Sequence, residues 1–129
     1  MPHVIAEYSA NLDALLDMQG FCDHLLKAAC QIDAYPKSGI RVRALKAEHY
    51  AIADGDAKHG YIDISVRMRA GRSDAVKDQV AMHLFNAAQD FTQSHAEKHS
   101  FALSLELRDI DPKLAPKTST IADHMKGGS

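Results

Sequence analysis

Two stretches of this chain run through the same order of elements, an alternating strand, an amphipathic helix and a second alternating strand, and that repetition sharply narrows its possible folds. Residues 3–9 (HVIAEYS) open as a short β-rich run. Asn11 and Asp13 supply helix-start chemistry for a segment reaching about Asp33. There Leu12, Leu15, Leu16, Phe21, Leu25, Leu26 and Ala29 recur at helical intervals, with a kink or break near Gly20. Tyr35, Pro36 and Gly39 force a turn, and strand-like sequence returns from Ile40 to about Ala51, with Arg41 and Arg43 on one face and Ile40 and Val42 on the other.

After a loop at residues 54–60 the plan restarts. Tyr61, Asp63, Ser65 and Arg67 alternate with Ile62, Ile64, Val66 and Met68, the mark of a sheet covered on one face. Ser73 is a good N-cap for a helix whose buried stripe is Val76, Val80, Leu84, Ala87, Ala88 and Phe91 and which reaches about Lys98. Phe101, Leu103, Leu105 and Leu107 then alternate with polar or small residues at a period of two.

Residues 4–8 laid over 64–68 bring the two helices into register, so duplication of one β-α-β unit is the economical account. The expected fold class is α/β, an α+β sandwich with a four-stranded mixed sheet. Right-handed crossovers put both helices on one face and leave the other for a second subunit. The expected organisation is a single domain over residues 1–126, with units at 2–52 and 61–109. An aperiodic arm at 110–126 reads as extended or as a short edge strand able to lock onto a neighbour, and residues 127–129 read as a flexible tail or expression remnant.

Composition removes several classes of function. At 129 residues, 46% hydrophobic and 25% charged, the chain is sized and patterned as one soluble domain. A formal charge of -2 supplies no reason to expect nucleic acid or an anionic membrane as partner. No apolar run has membrane-spanning length and the opening residues lack a signal-peptide pattern, so the expected location is the cytoplasm. Cys22 and Cys30 stand about 12 Å apart along one expected helix, too far for a disulfide, and read as buried free thiols.

Candidate chemistry begins at Pro2. Trimming of Met1 would leave Pro2 with a free secondary amine, and an apolar pocket beside cationic groups favours the neutral form of such an amine, which then acts as a base. Met1 retained makes the same nitrogen an amide without basicity, and a strand start alone also suits proline. The second signal is Gly71-Arg72-Ser73, a turn opening into a helix, where unpaired N–H groups and a guanidinium converge on a point suited to a carboxylate or enolate. Arg41 and Arg43, at the start of a strand after a glycine turn, are further anion-binding candidates.

These pieces together resemble the tautomerase superfamily, whose members use an N-terminal proline as a proton shuttle on a β-α-β fold. The resemblance is closest to the two-unit 5-carboxymethyl-2-hydroxymuconate isomerases. It is carried by Pro2-His3, Glu7, Ser9, Pro36, Gly39-Ile40-Arg41, Arg43, Ala53-Asp54-Gly55 and Gly71-Arg72-Ser73. It implies a homotrimer with three active sites, and a cofactor-free, metal-free ketonisation of a polycarboxylate dienol, 5-carboxymethyl-2-hydroxymuconate or a similar 2-hydroxymuconate, in breakdown of homoprotocatechuate. Pro2, Arg41 and Arg72 are then the catalytic set, and Arg43, Gly71 and Ser73 bind substrate. Each unit keeps what the other lacks: Ile62 stands where a second proline would fall, and Asn11-Leu12 where a second Gly-Arg would fall.

Tyr8 or Tyr50 could line the pocket, and Glu7 has no assigned role. His95 and His99, at i, i+4, read as a solvated helix end favoured by its dipole rather than as a metal site. The rival from another class is a non-catalytic trimeric module of the same fold that binds an anion or a protein. A dehalogenase or decarboxylase of this fold would need a water-activating acid that no residue here clearly supplies.

Overall fold

The computed structural model describes residues 2–126; Met1, whose trimming is in question, and the tail at 127–129 lie outside the described residues. Six main elements follow one another: β1 (His3–Ser9), α1 (Met18–Cys30), β2 (Arg41–Ala47), β3 (Gly60–Arg69), α2 (Asp74–Lys98) and β4 (Phe101–Ile110). The sheet order is β2-β1-β3-β4. Each unit contributes a parallel pair, β1 with β2 and β3 with β4, and the two units join through antiparallel β1 and β3.

Alternation decides which face meets the helices. Val4, Ala6, Tyr8, Ile62, Ile64, Val66 and Met68 are buried against Phe21, Leu25 and Ala29 of α1 and Val80, Leu84 and Ala88 of α2. Each large side chain so buried contributes roughly 1.5 to 3 kcal/mol of transfer free energy. Phe21 meets Phe91 edge-on at 5.4 Å and ties the helices together. The opposite face carries His3, Ile5 and Glu7 of β1, in direct register with Arg41, Arg43 and Leu45 of β2 and with Arg67, Ser65 and Asp63 of β3, and Tyr61 of β3 on the same face. It is polar at its centre: the Tyr61 hydroxyl donates to Glu7 Oε2 at 2.6 Å, and Ser104 donates to Asp63 at 2.7 Å.

The sheet, α2 and β4 match the expected pattern, and Ser73 caps α2 by accepting from Val76 N at 3.2 Å. The first helix does not. In place of one segment from Asn11 to about Asp33, a 3-10 turn at Ala10–Ala14 is separated from α1, which Asp17 caps by accepting from Gly20 N at 2.9 Å. Leu12 is buried under the sheet end while Leu15 is 52% exposed, so the leucines that look like one stripe belong to different pieces of chain. A Cβ on Gly20 would stand 2.5 Å from Asp17 Oδ2, so its missing side chain admits the cap carboxylate rather than breaking the helix.

β2 ends at Ala47, short of Ala51, and the loop beyond it turns through positive φ at Ala53 and Gly55. Cys22 and Cys30 are free but half-buried rather than buried. After β4 the described chain forms no strand; two short 3-10 turns, Pro112–Leu114 and Ala122–His124, punctuate an otherwise irregular segment.

Candidate active site

The antiparallel junction between the units builds the site. Because His3 pairs with Arg67, the residue before β1 and the end of β3 arrive together, and Pro2 comes to lie beside Met68. On the other side of β1, Arg41 N donates to the Pro2 carbonyl at 3.0 Å, so the start of β2 holds the same residue. The chain leaving β3 must then turn into α2. Gly71 makes that turn at φ +114, a conformation L side chains rarely adopt, although no atom crowds its missing Cβ.

Pro2, Ala34, Tyr35, Pro36, Met68, Arg69, Arg72 and Lys117 line a cavity of about 150 Å³ at this corner. Pro2 and Met68 are buried at its floor, and Arg69, Arg72 and Lys117 are exposed around it. Arg72 Nη2 donates to the Ala34 carbonyl at 3.2 Å, which steadies the guanidinium at the rim. Tyr35, in the middle of the first unit's helix-to-strand connection, is buried and donates its hydroxyl to Met68 Sδ at 3.4 Å, a weak acceptor from which the single O–H can turn to a better one. Burial pushes that phenol up to about 12, with Arg72 pulling the other way, so it stays a neutral donor at physiological pH. No carboxylate is among the described lining residues.

Of the residues singled out in the sequence, the cavity brings together Pro2 and Arg72. Gly71 shapes the turn, and the Ser73 hydroxyl is occupied as the α2 cap. Arg41 and Arg43 lie on the helix-free face instead. Arg41 Nη1 donates to the carbonyls of Ser38 (2.9 Å) and Ile40 (3.3 Å), and Arg43 Nη1 donates to His3 Nδ1 at 3.1 Å. A guanidinium only donates, so His3 Nδ1 accepts and its proton sits on Nε2. Burial, with Arg67, Arg43 and Arg41 nearby, holds His3 below its ordinary value and keeps it neutral.

Glu7 accepts from Tyr61, Tyr8 donates to Asp13 Oδ1 at 2.7 Å, and Tyr50 is exposed after β2; none lines the cavity. The expected solvated helix end at His95 is also corrected. His95 is only 7% exposed, stacks on His99 at 4.4 Å and meets Phe101 edge-on at 5.2 Å, because β4 folds back under the end of α2. Burial, then His99, lower its pKa.

Sequence reasoning missed Tyr35, Met68, Arg69 and Lys117. Extending the strand register by one residue would have reached Met68, whereas Lys117 lies on an aperiodic segment whose path no spacing reveals. Larger hollows of about 470, 460, 330 and 300 Å³ lie along α2. None of the four has an arginine or Pro2 in its lining, and the two that have a lysine also have an aspartate, so chemistry rather than volume selects the smaller cavity.

The family model described as 5-carboxymethyl-2-hydroxymuconate isomerase matches residues 2–125. The chain is 26% identical over 121 residues to the 5-carboxymethyl-2-hydroxymuconate Delta-isomerase of Escherichia coli, covering 94% of this chain and 96% of that one. A crystal structure of a 5-carboxymethyl-2-hydroxymuconate delta-isomerase superposes with a TM-score of 0.87 at 30% identity, over 100% of this chain and 96% of the other. A fused 4-OT symmetric trimer shares the fold at 16% identity, with a TM-score of 0.66 over 95% of this chain and 99% of that one.

Proposed function

The chain belongs to the 5-carboxymethyl-2-hydroxymuconate isomerase family and has its tautomerase-like fold, and from that premise we propose that it ketonises 5-carboxymethyl-2-hydroxymuconate, or a similar 2-hydroxymuconate, in aromatic (homoprotocatechuate) catabolism. The observation that carries this reading is Pro2 and Arg72, from different units, lining one cavity with no carboxylate among its described walls. With Met1 removed, the Pro2 amine takes the enol O–H proton and returns a proton to a distal carbon of the diene. The double bonds shift, and no electrons leave or enter the substrate, so proton transfer alone completes the reaction without a cofactor.

Arg72 binds a carboxylate and stabilises charge on the dienolate, while the surrounding cations and the buried floor favour a neutral Pro2 amine. Small-molecule sites usually enclose about 300 to 1,000 Å³, so the 150 Å³ cavity calls for a further wall. A homotrimer supplies one. The helix-free face, with Arg41 and Arg43, becomes an intersubunit surface, and those arginines reach substrate at a neighbour's site or at its boundary.

Intact mass and ultraviolet assay of dienol loss test the reading together. The active protein should lack Met1, and Pro2→Ala should lose about a hundredfold or more in kcat/KM. Full activity with Met1 retained would sink the proline mechanism, and a wild type no faster than buffer would favour a non-catalytic anion-binding module.

A further inference from the structure

The cavity holds more positive charge than a proton shuttle and one carboxylate clamp require. Arg69 at the end of β3, Arg72 in the turn and Lys117 from the segment after β4 surround one opening, although the chain as a whole carries a formal charge of -2. Among the described residues none of the three is in an ion pair, while Lys46, Lys58, Lys77 and Arg108 all have carboxylate partners. Three uncompensated cations over an apolar floor repel one another, and a polyanion relieves that repulsion. Lys117 is the distinctive member. The other two are fixed by β3 and its turn, whereas Lys117 is brought to the opening by a segment with no sheet or long helix of its own.

We propose that Lys117 binds the carboxylate farthest from the reacting enol, and that Arg69, Arg72 and Lys117 together select tricarboxylates over dicarboxylates. This rests on the reading of the cavity given above, whose substrate has three such groups: a muconate bears two carboxylates and a carboxymethyl substituent adds a third. The C-terminal segment is thereby the specificity element of the site, and Lys117 works as a point charge for an end group that needs no bidentate geometry.

Binding of non-reacting acids tests this without turnover. Calorimetry on the full protein compares propane-1,2,3-tricarboxylate with pentanedioate. Wild type should prefer the tricarboxylate by about tenfold or more, Lys117→Ala should lower that ratio about tenfold, and Lys117→Arg should restore most of it. Lys117 is exposed, so its replacement leaves the fold in place. Equal affinity of wild type for the two acids, failure to bind either at millimolar concentration, or an unchanged ratio in Lys117→Ala overturns the proposal. A protein that shows the preference but does not ketonise the dienol would sink the isomerase reading and keep only the selection of tricarboxylates by Arg69, Arg72 and Lys117.

Discussion

The duplicated unit creates two equivalent corners, at opposite ends of the β1–β3 pair, and they have opposite fates. At one, Pro2, Met68 and Arg72 surround an open cavity. At the other, the end of β1 meets the start of β3 and everything is tied shut. Ser9, wholly buried, donates to Asn11 Oδ1 at 2.7 Å and accepts from Tyr61 N at 3.0 Å, and Asn11 Nδ2 donates to the His59 carbonyl at 2.8 Å. Leu12 closes over Gly60 so tightly that a Cβ there would lie 3.0 Å from its Cδ2, and the His59 ring bridges Asp54 and Ser100 beside it. The same backbone plan yields an open corner whose cations have no carboxylate partner among the described residues, and a sealed one where Ser9, Asn11 and His59 all have partners.

The sharpest way to break the comparison is Arg72→Ala. It should cost on the order of a hundredfold or more in kcat/KM, while the melting temperature barely moves because Arg72 is exposed. Equal turnover by the variant would remove Arg72 from the site. The converse substitution at the sealed corner, Ser9→Ala, strands the Tyr61 N–H and should cost about 1 to 3 kcal/mol in denaturant unfolding with kcat unchanged. A large loss of kcat without loss of stability would mean the closed corner also takes part in the chemistry.

The smallest effect concerns the unequal helices. The second unit's α2 carries buried His95 in its last turn, with a folded pKa below the ordinary 6.5, whereas α1 ends at Cys30. A group depressed on folding contributes its stability above its unfolded pKa and loses it as pH falls from there, so acid should weaken the second unit's packing. His95→Phe should shrink the fall in melting temperature between about pH 7.5 and 5.5 by about 2 °C. A fall identical to wild type would show that His3, also held neutral, or other groups carry the acid response.

What could be read from the chain follows from the same asymmetry. The second unit was legible nearly to the residue, because Ile62 to Met68 and Phe101 to Leu107 alternate cleanly and Ser73 marks the helix start. The first unit was not, since Leu12, Leu15 and Leu16 keep a helical interval across a break that only Asp17's cap geometry reveals. At the site, Pro2 and Arg72 carry their chemistry in their residue types. Tyr35 and Lys117 are ordinary in type and matter only through where the turn before β2 and the segment after β4 are carried, which depends on contacts far apart in sequence.

β1 is made first yet lies in the interior of the sheet, between two strands that are made later. During synthesis it must wait, unpaired, until β2 and then β3 have emerged, and the contacts that bury Pro2 are among the longest in sequence that the fold makes. The proposed mechanism therefore expects Met1 to be removed from the nascent chain, while its first residues are still reachable by a peptidase. Under that proposal, exposure of the Pro2 amine and closure of the sheet are ordered in time, and in a chain that keeps Met1 the same nitrogen stays an inert amide.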